Sequence, residues 1–270
     1  MLNTIDNQIQ EIENKNFSFR ISEFISKGWD LGLKILGWYI LYMTFTMTAS
    51  SLLKSLPYIG SLINTLVISP VLAGGTIFFI HHRHTTNQSD FGLIFSGFKK
   101  NLWQIILLNL ILVIVSLVIY LPLILEVYNS VDISDFTKLA TNKDSKVLMP
   151  LIKDLFKDIG SWFKTGLFCS IGVLFLMTFT IFSTFLVVLE DFTAVKALSV
   201  SYKIVKKKFV KILWFVILLG LINLLGFLCL VIGVFVTVSI SFAAVYLAYI
   251  NVFRPNLEIE FAVKNNDILD

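Results

Sequence analysis

Charge is what this sequence has least of. Asp, Glu, Lys and Arg make up 15% of the 270 residues, hydrophobic residues make up 56%, and the mean hydropathy is +0.82. A soluble domain carries about 25% charged residues and roughly 45 to 50% apolar ones with glycine counted, so an ordinary soluble fold is excluded. Cysteine is scarce as well. Cys169 and Cys229 both fall inside apolar runs without paired spacing, which excludes a disulfide scaffold and leaves two small hydrophobes. No G-x-S-x-G elbow, phosphate-binding G-x-x-x-x-G-K-[ST] loop, H-E-x-x-H or C-x-x-C pair occurs, so no known hydrolase arrangement is in view. The opening MLNTIDNQIQEIENKNF lacks a basic stretch followed by an apolar core, and no cleavable signal peptide is expected.

Long apolar runs are what the sequence does have. Leu31 to Leu53, Tyr58 to Ile80, Leu102 to Ile124 and Leu167 to Leu189 are each long enough to cross a bilayer, which takes about 20 residues. Ile212 to Phe253 follows, without a charge. A single helix of that length would be about twice the hydrocarbon thickness at ~1.5 Å per residue, so it must fold back as two spans. The turn is expected within GFLCLVIG, bounded by Gly226 and Gly233. The fold class is therefore an all-α polytopic membrane protein with six transmembrane helices, forming one integral membrane domain.

With both termini cytoplasmic, the inner segments carry 15 Lys and Arg residues and the outer segments 7. Six of those seven sit in one long outer loop, 125 to 166, among acidic residues. The imbalance favours the N-in, C-in orientation. The net charge of +4 belongs to these boundaries, and no nucleic-acid partner is implied.

A repeat precedes the odd-numbered spans. Phe17, Ile21, Phe24, Ile25 and Trp29 lie on one helical face before the first, and Phe91, Ile94, Phe95 and Phe98 before the third. Val195, Leu198, Tyr202, Val205 and Phe209 do so before the fifth. Each stretch reads as an amphipathic interfacial helix with cations on its other face. The joints repeat too, with Lys34 before Trp38, Lys100 before Trp103 and Lys211 before Trp214, a snorkelling cation followed by an interfacial aromatic. This gives three units of pseudo-threefold hairpin repeat, 17–80, 89–189 and 192–253, between a polar N-terminal tail 1–16 and a C-terminal tail 254–270. In the outer loop, Leu151, Leu155, Phe156 and Ile159 share a helical face. That piece is expected on the outer leaflet or as a partner-binding surface, with Trp162 as its anchor.

Polar groups at membrane depth are the place to look for function. No Asp, Glu, Lys, Arg or His stands near the middle of a span; amides and hydroxyls do, at Asn64, Thr65, Asn109, Asn223 and the run Thr44, Thr46, Thr48, Ser50. Interhelical hydrogen bonding is their expected use. In the second span SPVLAGG puts Pro70 before two glycines, which predicts a kink or break. Were the chain a transporter, Pro70, Asn109 and Asn223 would line its path.

At the inner end of the fourth span, Glu190 and Asp191 open VVLEDFTAVKALSVSYKIVKKKF. Asp191 or Thr193 is expected to cap the helix that follows. Lys203, Lys206, Lys207 and Lys208 would face anionic lipid headgroups, as would Arg83. All three histidines of the chain, His81, His82 and His84, flank Arg83 in FFIHHRHTTN. His81 and His84 have the i, i+3 spacing to share an ion. Arg83 between them opposes a second positive charge, and the position at the cytoplasmic exit of a span suits a headgroup collar. No metal or cofactor is expected.

Together SPVLAGG, DFGLIFSGF, VVLEDFTAVKALSVSYKIVKKKF and LLGFLCLVIGVFVTVSISFAAVYLAY resemble a broad group of bacterial six-helix membrane proteins of unknown function. The chain is similar to the membrane domain attached to some glycerophosphodiester phosphodiesterases, in which an acidic residue, an Ala-Leu pair and a serine precede the fifth helix. Glu190, Ala197, Leu198 and Ser199 hold those places. The resemblance covers nearly the whole chain and implies the bacterial inner membrane, while the soluble phosphodiesterase barrel has no counterpart. Some sequences of this type carry a beta-carotene monooxygenase label, which would imply iron held by histidines on a propeller. Three adjacent histidines do not support it. The expected function is non-enzymatic, organising anionic membrane lipid or a membrane partner, with a protein partner at the outer loop. The alternatives are a transporter or flippase for an amphipathic molecule and, third, a membrane enzyme.

Overall fold

The computed structural model describes residues 17–53, 59–88, 90–98, 101–130 and 159–255. Among these residues every regular element is helical and there is no strand. The chain runs through α1 (Ile21–Leu53), α2 (Ile59–Thr86), a short 3-10 helix (Phe91–Phe98), α3 (Leu102–Ser130), α4 (Ile159–Thr180), α5 (Ser183–Leu189), α6 (Ala194–Lys207), α7 (Phe209–Leu228) and α8 (Leu230–Phe253). Leu151, Leu155, Phe156 and the joint at Lys100 lie outside the described residues.

Among the described residues five helices are long and apolar enough to cross a membrane: Ile59–Thr86, Leu102–Asn129, Gly160–Leu189, Phe209–Leu228 and Gly233–Phe253. The uncharged run folds back as expected, with the α7–α8 turn at Cys229 inside GFLCLVIG. The first expected span, Leu31 to Leu53, is helical throughout but is not among these five. Its Thr and Ser residues dilute its apolar character.

The segments expected as three like interfacial helices take three different forms. The first is continuous with its span, giving a 33-residue α1. Its buried face is Phe24, Gly28, Leu31, Gly32, Ile35 and Tyr39, and Trp29, expected on the same face, is exposed. The second is the 3-10 helix, packed along α2 so closely that Gly97 abuts the backbone of Val71 and Gly75. The third, α6, is a separate α-helix. Its bundle face is Ala194, Ala197, Val200, Ser201, Ile204 and Val205; of the apolar face expected at the membrane interface, Val205 turns into the bundle while Val195 and Tyr202 are exposed.

The chain divides into two compact units, Met1–Leu110 with Thr178–Asp270, and Ile111–Met177. In the first, α1 and α8 make the most extensive helix pair. A Cβ on Gly28 would sit 2.8 Å from the Ala244 Cβ, and one on Gly32 would sit 2.7 Å from the Ile240 Cα. As the α1 number rises the α8 number falls, so the pair is antiparallel. The G-x-x-x-G spacing lets the two backbones touch. Ser239 Oγ then donates to the Gly32 carbonyl at 2.7 Å. In the second unit, the later part of α3 and α4 run antiparallel, with Gly172 against Ile119 and Gly166 against Leu123. Ser161 donates to Glu126 there, and Trp162, expected as an anchor of a separate outer piece, belongs to α4.

Proline does not break α2. Asn64–Ile68 form a π turn directly before Ser69 and Pro70, and the wider turn accommodates the ring that would clash in an α-helix. Ser69 N–H donates to the Asn64 carbonyl, and Pro70 has no N–H to give. The Thr65 carbonyl thus loses both partners that α or π geometry would offer. The Asn109 amide of α3 donates to it at 2.9 Å.

Candidate functional site

The first unit brings Glu190, Asp191 and Arg254 together at the elbow between α5 and α6 and the end of α8. Leu186 and Val188 are buried on α5, which fixes the elbow against the bundle, and the chain turns at Asp191, a non-glycine residue with φ 57°. Aspartate tolerates this left-handed conformation better than most residues.

Glu190, at the end of α5, accepts hydrogen bonds from Tyr249 Oη at 2.6 Å and Arg254 Nε at 2.7 Å. Arg254 also donates through Nη2 to the Leu189 carbonyl at 3.0 Å. The planar guanidinium thus grips both the side chain and the backbone of the elbow. Burial lowers the Arg254 pKa, but the hydrogen bond and charge of Glu190 outweigh it and raise the net value above the ordinary one. Phe185 and Phe253 stack on Tyr249 at centroid distances of 5.2 and 5.1 Å, holding its hydroxyl toward the carboxylate.

One turn back along α8, Tyr246 is fully buried. Its Oη lies 3.0 Å from His81 Nδ1 and 3.3 Å from His84 Nδ1. A hydroxyl donates one proton. If it goes to one imidazole, the other must donate to the oxygen, and the two rings carry different tautomers. His81 also lies within electrostatic reach of Arg254 and Glu190. The histidines therefore join an α2–α8 contact, and among the described residues no three His, Cys, Asp or Glu side chains gather as a metal-binding group.

The other side of the elbow is held by α3. Asn101, itself left-handed at φ 56°, donates through Nδ2 to Asp191 Oδ1 at 2.5 Å and to the Val187 carbonyl at 3.0 Å. Thr193 is the N-cap of α6 but makes no side-chain cap bond. The Ala194 N–H donates to Gln104 Oε1 at 2.9 Å. The cap expected from Asp191 or Thr193 is supplied by another helix.

Arg83 donates to the Asn87 carbonyl and so closes the end of its own helix. Lys203, Lys206 and Lys207 are exposed on α6, and Lys208 is half-buried where α6 meets α7. Asn109 bonds the π turn that precedes Pro70, while Asn223 Nδ2 donates to Ser241 Oγ at 2.9 Å and to the Leu219 carbonyl at 2.8 Å. Asn223 thus joins α7 to α8, apart from the bond between α2 and α3. Sequence reasoning missed Tyr246, Tyr249, Arg254, Asn101 and Gln104. The i, i+3 spacing of the two tyrosines was a readable signal; the glutamine and asparagine carried none. Comparison of the chain with family models, with curated proteins and with solved structures returns no match in any of the three.

Proposed function

We propose that the chain is a non-enzymatic multi-pass protein of the bacterial cytoplasmic membrane, with both termini cytoplasmic, that organises anionic lipid or a membrane partner. The sixth span is the Leu31–Leu53 part of α1. Thr44, Thr46 and Thr48 return their hydroxyls to the carbonyls of Ile40, Met43 and Thr44 at 2.8 to 2.9 Å, hiding polarity that lipid would not tolerate. The three hairpins, the outer-loop partner and the likeness to the phosphodiesterase membrane domain belong to the same reading.

The observation that carries it is the use of the intramembrane amides. Asn109 bonds the Thr65 carbonyl, Asn223 bonds Ser241, and Asn64 accepts from Ser50 Oγ at 3.1 Å. Groups that a transporter would turn to a passing substrate join helix to helix instead. Reconstitution into vesicles carrying a fluorescent phospholipid tests this. Scrambling no faster than in protein-free vesicles, with lipid retained by the purified protein in native mass spectrometry, is the expected result. Rapid scrambling that Asn109→Leu or Asn223→Leu abolishes would replace it with the flippase reading.

A further inference from the structure

Around α6 the side chains fall into three sectors. Successive residues of an α-helix are about 100° apart. On that wheel Ala194, Ala197, Val200, Ser201 and Ile204 form one arc, and all are buried against the bundle. A second arc holds Val195 and Tyr202, 65% and 48% exposed, and Phe209, the first residue of α7, shares the Phe179 ring with Tyr202. The third holds Lys203 and Lys207, both exposed, and Lys206 lies on the seam between the second and third, one turn from Tyr202.

A helix between protein and water needs two sectors. An apolar arc left uncovered beside a basic one indicates a third medium. The chain order supplies it, because α6 is flanked by the candidate spans Gly160–Leu189 and Phe209–Leu228. One ends where α6 begins and the other begins where α6 ends, so both ends of α6 lie at the same membrane face. The apolar arc also has a built floor. The Phe179 ring lies 5.0 Å from both the Tyr202 and the Phe209 ring, and Ser201 Oγ donates to the Phe179 carbonyl at 2.7 Å.

We infer that α6 is a seat for anionic phospholipid of the inner leaflet. An acyl chain lies along Val195 and the Phe179–Tyr202–Phe209 aromatics, and the headgroup phosphate is held by Lys206 with Lys203 and Lys207. This deepens the proposed function and rests on the reading that these helices span a bilayer. The basic arc matches the charge of the headgroup, and the apolar arc stands beside it at the depth where the acyl chains begin.

The test is native mass spectrometry of the full chain released from micelles doped with equal amounts of an anionic and a zwitterionic phospholipid of matched chains. The wild type is expected to retain the anionic lipid first, by tenfold or more. Lysines near a membrane surface contribute about fivefold each, so the triple variant Lys203→Gln, Lys206→Gln, Lys207→Gln should bring the ratio close to one. Tyr202→Ala should weaken retention of both lipids. All four positions are exposed, so unchanged thermal melting serves as the folding control. An anionic preference that survives the triple substitution, or wild-type retention without preference, overturns the inference. The scrambling assay on the same preparations reads the proposed function separately, since a scaffold without a seat on α6 would fail only the lipid test.

Discussion

Arg254 reaches back across 64 residues to Glu190, its Nε 2.7 Å from the carboxylate, and joins the end of α8 to the elbow that launches α6. Both side chains are about a quarter exposed, so the pair is partly screened. Removing the acid leaves a guanidinium and a tyrosine hydroxyl without their acceptor. We expect Glu190→Ala to destabilise the protein by about 1 to 3 kcal/mol, read as thermal melting in detergent. Arg254→Lys keeps the charge but not the fork to Glu190 and the Leu189 carbonyl, and should retain only part of the stability. Melting indistinguishable from wild type in both variants would show that the clasp contributes nothing.

Glycine substitution in α1 should depend sharply on position. A Cβ on Gly32 would press on the backbone of Ile240, whereas one on Gly37 would meet nothing within 4 Å. Gly32→Ala is expected to cost about 1 to 3 kcal/mol through forced separation of α1 and α8. Gly37→Ala should be neutral or stabilising by about 0.5 to 1 kcal/mol. Equal effects in a melting experiment would contradict the close contact.

The link between Pro70 and Asn109 predicts a coupling. Asn109→Leu leaves the Thr65 carbonyl without its donor and should cost about 1 kcal/mol. Pro70→Ala restores an N–H that α2 can direct to its own carbonyls. The asparagine substitution should therefore cost less in that background, and a double-mutant cycle on thermal unfolding measures the difference. Strict additivity would mean that the orphaned carbonyl does not need the asparagine.

Capping of α6 from another helix is separable from packing. Gln104→Leu removes the acceptor for the Ala194 N–H and should cost about 1 kcal/mol. Gln104→Glu keeps an acceptor and places negative charge at the helix N-terminus, so it should recover most of the loss. Amide exchange at the first turn of α6 reports directly, with faster exchange expected in the leucine variant alone.

At the start of α1, Glu23 pairs with Lys27 at 2.8 Å and Arg20 at 3.3 Å. The hydrogen bond from Lys27, opposed by slight burial and aided by both positive charges, lowers the Glu23 pKa. A group whose pKa is lower folded than unfolded stabilises the fold above its unfolded value. The amides of the first turn of α1, corrected for the intrinsic pH dependence of exchange, should therefore lose protection as pH falls through the carboxylate range, and Glu23→Gln should remove that loss. A pH profile identical in wild type and variant would discount the pair.

The apolar runs were legible because lipid selects length and hydrophobicity, which need no partner. Ile212 to Phe253 had to turn back, and it does so at Cys229. The α6 stretch was read as an amphipathic interfacial helix, and Val195 and Tyr202 of its apolar face are exposed while Val205 is buried with Ala194 and Ala197. Small residues such as Ala194 and Ala197 let a helix close on its neighbours, a role that the period of the large apolar residues does not reveal. Glu190 was singled out by its charge at a span end, but Tyr249 and Arg254 were not. His81 and His84 were read as a collar around Arg83, and the fold turns both toward Tyr246.

By itself the sequence determined that this chain is helical, that its apolar runs are long enough to suit a membrane, and where its longest run reverses. The hydrophobic effect is non-directional and proportional to area, and area can be summed along a chain. Tertiary structure alone decided that Gly32 meets Ile240, that Asn109 completes a turn loosened by Pro70, and that Gln104 caps a helix begun 90 residues later. Hydrogen bonds and close packing act over a few ångströms and in fixed directions, so their partners exist only once the helices have met.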